Sequence, residues 1–143
     1  MTIRPMVIED YDKVYDLWTS TPGIGIRSLE DSRESIERFL SHNPDMSFVA
    51  EEDNQLVGAT LCGHDGRRGY LYHTAVKPDC RGRGTGKALV TAALDALKKE
   101  RIHRVALVAF NTNELGNAFW EALGFTVRSD LVYRNLELSE ENR

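Results

Sequence analysis

Two cysteines, four prolines and no wholly apolar run longer than Val105 to Phe110 set the limits on this 143-residue chain. Cys62 and Cys80 are too few for a disulfide scaffold, so reduced thiols are expected. The longest apolar run falls far short of the ~20 residues that cross a bilayer, which excludes a membrane-spanning helix. An excess of basic charge is also missing. Lys and Arg number 18 against 22 Asp and Glu, a net charge of −4, which argues against nucleic acid or an acidic membrane surface as partner. No apolar signal core follows Met1-Thr2-Ile3-Arg4-Pro5, so a cytoplasmic protein is expected. No repeat, low-complexity tract or Ser/Gly/Pro linker divides the chain, and one domain over residues 1–143 is the expectation. What is present is an ordinary globular balance, 41% hydrophobic and 28% charged. A chain of this length buries roughly 68–70% of its unfolded surface and needs no staple.

The pattern alternates strands and helices. Ile3 to Val7 is β-prone, and Asp10 precedes Tyr11, Val14, Leu17 and Trp18 at helical spacing. Thr21 to Ile26, with Pro22-Gly23, reads as a loop, and Leu29, Ile36, Phe39 and Leu40 mark a second helix. Ser47 to Ala50 and Gln55 to Leu61 flank the polar turn Glu52-Asp53-Asn54, a hairpin signal. Tyr70 to Val76 is the next strand, and Gly86 to Arg101 the clearest helix. Arg104 to Phe110 reads as a buried strand, Asn113 to Leu123 as a helix ended by Gly124, and Phe125 to Val127 and Leu131 to Leu138 as two last strands. A strand, a crossover helix and a strand from Tyr70 to Phe110 imply a parallel pair, whereas the hairpins imply antiparallel ones. An α/β (α+β) fold follows: a mixed sheet with helices on its faces.

The most informative stretch joins the Tyr70–Val76 strand to the long helix: Val76-Lys77-Pro78-Asp79-Cys80-Arg81-Gly82-Arg83-Gly84-Thr85-Gly86-Lys87. Glycines let a ligand approach the backbone, and the first N–H groups of a helix are unpaired donors at the positive end of its dipole. Arg81, Arg83 and Lys87 add positive charge in an acidic protein. Set against a mere connecting turn, this combination favours a phosphate site. The common nucleotide motifs do not fit. A P-loop requires glycine where Arg81 stands and a hydroxyl where Ala88 stands, and a dinucleotide fingerprint begun at Gly82 requires glycine where Lys87 stands.

Arg81-x-x-Gly84-x-Gly86, preceded by Val76-x-Pro78, resembles the acetyl-CoA motif of the GNAT superfamily of N-acetyltransferases. Asn113, Trp120 and Leu123-Gly124-Phe125 resemble that family's downstream signature, with Trp120 where the family usually has tyrosine. His64-Asp65-Gly66-Arg67-Arg68-Gly69 is similar to the small bacterial YpeA-type members. The resemblance implies a mostly antiparallel sheet with one splayed parallel pair. It implies acetyl-CoA as cosubstrate, its pyrophosphate held by backbone N–H groups from Arg81 through Gly82, Arg83, Gly84, Thr85 and Gly86 to Lys87. The pantetheine arm would pair with the strand at Thr74, Ala75 and Val76, with Asn113, Phe119 and Trp120 opposite. It further implies a small-molecule or peptide amine as acceptor, direct attack in a ternary complex, and a homodimer as one possible assembly. A GNAT-fold acyl-CoA sensor without transfer activity is the alternative, as is a binder of some other phosphate ligand.

Acetyl transfer to an amine needs a proton acceptor, because a free alkylamine has a pKa of about 10. Tyr72 and His73 are the candidates on the strand. Alternation puts Tyr70, Tyr72 and Thr74 on one face and Leu71 and His73 on the other, unless a bulge intervenes. His73 has a suitable intrinsic pKa, although a central-strand histidine is more often a hydrogen-bonded core residue. His64, Glu51 and Glu52 are weaker candidates. Trp120 replaces the side chain thought to protonate the departing thiolate, and an indole N–H donates hydrogen bonds but is no acid in water. The four histidines, at 42, 64, 73 and 103, lack metal-ligand spacing, so no metal is expected. Cys62 and Cys80 read as structural.

Overall fold

The computed structural model describes residues 1–143. A five-stranded sheet runs in sequence order through β1 (Thr2–Pro5), β2 (Phe48–Glu52), β3 (Gln55–His64), β4 (Gly69–Val76) and β5 (Val105–Ala106). The first three junctions are antiparallel, and β4 and β5 are parallel. The hairpin and the crossover expected from sequence are both present. Four helices cover the two faces. On one side α1 (Tyr11–Thr19) and α2 (Arg33–His42) bury Val14, Leu17, Trp18 and Ile36 against Val49, Leu56, Ala59, Leu61 and Ala75. On the other, α3 (Thr85–Lys99) buries Val90, Ala93 and Leu97 against Cys62 and Leu71, and Leu89 against Ala50 and Val57. β3 is buried along nearly its whole length because both layers press on it.

Local chemistry explains several boundaries. Ser32 lies extended and its side chain accepts the Ser35 N–H, so α2 begins one turn later than the apolar spacing from Leu29 suggests. Gly124, with φ +94°, follows α4 (Glu114–Ala122) and its N–H returns to the Glu121 carbonyl, the left-handed stop anticipated from sequence. On the outer edge, Arg4 clamps β1 through both oxygens of Asp10 at 2.8 and 2.9 Å and through Glu51.

The chain departs from its sequence pattern at the other edge. Only Val105 and Ala106 of the expected Arg104–Phe110 strand pair with β4, opposite Gly69 and Tyr70. The Phe125–Val127 and Leu131–Leu138 segments form no strands, and Leu131, Val132, Tyr133, Leu136 and Leu138 are exposed. A strand needs a neighbouring edge in register and a surface to pack on, and residues 107–110 provide no ladder for one. The C-terminus instead grips the loop before α2. The Asn142 side-chain oxygen accepts the N–H groups of Leu29 and Glu30 at 3.1 Å each, and the Ser28 N–H donates to the Arg143 carbonyl.

Candidate functional site

The early divergence of β5 leaves the edge of β4 beyond Tyr70 without a neighbouring strand. This is the splayed parallel pair. Immediately beyond the open edge, the chain turns through Pro78–Cys80 into α3. Gly82 and Gly84 have φ of +77° and +82°, and a Cβ on either would meet nothing within 4 Å. Gly84 is the N-cap and supplies no side-chain cap, so the first N–H groups of α3 face outward unclaimed. Thr85 differs from its neighbours. Its side chain is buried with the hydroxyl on the Met1 sulfur, and it offers the turn only its backbone. Arg81 bonds the Val76 carbonyl through Nε, and Arg83 is held by the Glu52 carboxylate and the Asp79 carbonyl. Lys87 is exposed and makes no ion pair, which leaves its charge free at the helix start.

The far side of β4 is built by a bulge. Ala59 pairs with Ala75 and Leu61 with Tyr72, so His73 and Thr74 together oppose Thr60 alone. His73 takes φ +36°, a left-handed conformation rare for a residue with a Cβ. The slip corrects the expected alternation. Leu71 packs toward α3, whereas His73 turns to the α1–α2 side with Tyr72. There its Nε2 lies 2.7 Å from Asp31 Oδ1 and its ring meets Trp18 edge-on at 4.8 Å. Thr74 points the other way, its hydroxyl 2.7 Å from that of buried Thr60. Tyr72 is exposed, stacked near Tyr70 and edge-on to Phe39. Burial first, then the proximity of Tyr133 and other neighbours, raises both phenols, Tyr70 to about 12. They remain protonated donors at neutral pH and not bases. The weaker base candidates are engaged elsewhere: Glu51 by Arg4, Glu52 by Arg83, and His64 Nδ1 by the Gly66 N–H.

Across the opening, the Asn113 side chain caps α4 by accepting the Gly116 N–H at 3.0 Å. A Cβ on Gly23 would sit 2.6 Å from Asn113 Nδ2, and one on Gly25 would sit 3.2 Å from the Phe110 ring. The α1–α2 loop therefore reaches over to the diverging strand. Phe119 lies against Gly86, where a Cβ would come within 3.0 Å of its ring. Trp120 is half-buried between Phe119 and Phe125, edge-on to each at 4.9 and 5.2 Å. Its indole N–H has no hydrogen-bond partner in the protein and is not sealed from solvent. Cys62 is fully buried, and that burial pushes its thiol up to about 12, which makes it inert.

A family model described as the acetyltransferase (GNAT) family matches residues 11–125, which takes in the bulged strand, the glycine turn and α4. The chain belongs to the GNAT acetyltransferase family. It is 30% identical to an acetyltransferase of Sodalis glossinidius over 99% of this chain and 98% of that one. Among solved structures it resembles Ard1 from Thermoplasma volcanium, with TM-score 0.76 and 21% identity over 90% of this chain and 84% of that one. It also resembles AAC(6')-Iy in complex with the bisubstrate analogue CoA-S-monomethyl-acetylneamine. That likeness has TM-score 0.71 and 19% identity, over 95% and 97% of the two chains.

In this GNAT acetyltransferase the residues named from the motif surround one opening: Thr74 to Val76 on the open edge, Arg81 to Lys87 at the helix start, and Asn113, Phe119 and Trp120 on the wall opposite. Sequence reading missed Asp31. It stands 42 positions from His73, in a turn without any motif, and only the folded chain brings the two together.

Proposed function

We propose that this acetyltransferase moves the acetyl group of acetyl-CoA directly to a primary amine in a ternary complex, as a single-domain cytoplasmic enzyme. The observation that carries the reading is the open edge of β4 running straight into an uncapped helix start. Two glycines with free space above them make room there for a pyrophosphate. Backbone groups of Thr74, Ala75 and Val76 would hold the pantetheine arm as an added strand does, and N–H groups from Arg81 to Lys87 the phosphates. A backbone N–H near Ala75 and Val76 would face the thioester oxygen as it gains charge. The amine would enter from the α1–α2 side, to which the bulge turns His73, two residues before Ala75, and presents its imidazole to take the proton. Tyr72, a protonated phenol, would orient the acceptor. The CoA-containing analogue in AAC(6')-Iy supports this reading by analogy of fold.

A second reading, an acyl-CoA sensor, draws on Trp120 alone. A thiol of pKa about 8.5 is a tolerable leaving group without a side-chain acid, so the indole is compatible with turnover. One experiment separates the readings: acetyl-CoA-induced thermal stabilisation, followed by thiol release with diamines, a polyamine, an aminoglycoside and an alanine-initiated peptide. Stabilisation with thiol release supports transfer, stabilisation without it supports the sensor, and no stabilisation removes the CoA assignment.

A further inference from the structure

We propose that Asp31 is a positioning residue for acetyl transfer. In this role it fixes the His73 imidazole with Nε2 protonated and the Nδ1 lone pair turned to the incoming amine. The inference rests on the N-acetyltransfer reading above. Four observations carry it. The Asp31 carboxylate is buried, 6% exposed, yet it forms no ion pair with a lysine or arginine side chain. One of its oxygens lies 2.7 Å from His73 Nε2 and the other accepts the Arg27 N–H at 2.7 Å, so the carboxylate is held at both ends. The carbonyl of Asp31 accepts the Tyr11 hydroxyl, which ties the same turn to α1. His73 itself is braced by Trp18 and by its place in the bulge.

The other ring nitrogen decides the direction. His73 Nδ1 bonds no group of the protein and is not sealed off; of the buried side-chain nitrogens and oxygens, Trp18 Nε1 alone lacks a partner. A carboxylate acceptor at Nε2 requires the N–H to be there, which leaves Nδ1 as the free base on the side of the ring open to solvent. The carboxylate also stabilises the imidazolium that forms when Nδ1 takes a proton. A left-handed φ at a non-glycine residue, retained to keep this geometry, fits strain stored at a working site.

The amine nitrogen bonds to the thioester carbon, and the ammonium becomes more acidic as that bond forms. One proton passes to His73 Nδ1 and from there to solvent. The C–S bond then breaks, its electron pair leaves on sulfur, and a proton from solvent completes the thiol. Counted from the alkylammonium, one proton goes to solvent before the nitrogen lone pair can attack and the other to His73 after it, so each has a destination.

The test is a double-mutant cycle with D31N and H73A, read as thiol release with the best amine of the panel above and as acetyl-CoA-induced thermal stabilisation. Loss of the base should cut kcat by about 10²–10⁴ in H73A, and D31N should cut it at least about tenfold, both with acetyl-CoA binding unchanged. In the H73A background, D31N should cost less than about twofold, because Asp31 acts through the imidazole. A structural role would instead multiply the loss in both backgrounds, which would overturn the proposal. So would D31N retaining wild-type kcat. Long-range ¹⁵N–¹H spectra of the neutral imidazole in the wild type provide a check that needs neither variant nor acceptor. An Nε2–H tautomer supports the assignment, and an Nδ1–H tautomer refutes it. If wild type binds acetyl-CoA but releases no thiol with any amine, the transfer reading itself falls, which is a different result from an active enzyme indifferent to Asp31.

Discussion

The two sides of β4 are made in different ways. On the side proposed for the cofactor, the end of the strand, the turn and the start of α3 are consecutive in the chain, and the surface consists of backbone groups left free by glycine and by an absent cap. On the side proposed for the acceptor, Trp18, Asp31, Phe39 and His73 come from four separate elements or loops, and the contacts are between side chains. A backbone site tolerates sequence drift wherever glycine is kept, whereas a side-chain site depends on every packed partner. The proposed cofactor side is therefore the part that one short motif reveals, and the proposed acceptor side depends on how the whole chain packs.

The largest effect that would break this contrast is on the backbone site. Gly84→Glu places a carboxylate at the phosphate position and should abolish acetyl-CoA stabilisation, which for wild type is about 2.7 kcal/mol at ~100 times the dissociation constant. Because Gly84 is left-handed, the variant should also lose roughly 1–2 kcal/mol of intrinsic stability. Melting curves with and without acetyl-CoA separate the two effects. Retained binding would mean that the glycine turn is not the anion site.

The Arg4–Asp10 clamp belongs to neither side and serves as the reference. Asp10→Asn should cost about 1.5–3 kcal/mol of stability while leaving the ligand-induced increment intact. Burial alone would raise the Asp10 pKa, but the Arg4 hydrogen bonds and the Val7 N–H hold it below its ordinary 3.8. Its folded pKa is thus below its unfolded one. The contribution is present above pH 3.8 and is lost as pH falls from there through the folded value. Acid melts of wild type should fall more steeply below that pH than those of D10N.

Trp120 tests whether the wall opposite β4 takes part in chemistry. Trp120→Phe removes an unpartnered N–H and keeps an aromatic ring edge-on between Phe119 and Phe125, so transfer should drop by about tenfold at most. Trp120→Tyr should match or exceed wild type if a phenol reaches the sulfur. A thousandfold loss in the phenylalanine variant, with unchanged acetyl-CoA binding, would make the indole itself catalytic.

The smallest expected effect is at the C-terminal clip. Asn142→Ala removes the acceptor for the Leu29 and Glu30 N–H groups and the donor to Glu30 and Glu137. These bonds are exposed, worth about 0.5–1.5 kcal/mol in total effect. The acceptor KM should rise a few-fold with acetyl-CoA binding unaltered. An equal effect on both substrates would erase the distinction between the sides.

Several features were legible in the linear chain because their causes are local: the helical spacing of Leu89, Val90, Ala93 and Leu97, the polar hairpin turn, the stop at Gly124, and the arginine–glycine turn with its unclaimed N–H groups. Strand propensity misled at Leu131 to Leu138, because β-prone residues form a strand only where an edge in register is offered. The divergence of residues 107–110 from β4 withholds that edge. Alternation misled at His73 for a related reason. Period two holds until a bulge inserts a residue, and whether one is inserted depends on how β3 and β4 register along their whole length. By itself the sequence determined the arginine–glycine turn and the order of the elements as far as α4, since those follow from neighbouring residues. Tertiary structure alone decided which face His73 occupies and that Asp31 meets it, since a bulge and a contact across 42 positions are set by packing and not by any short run of residues.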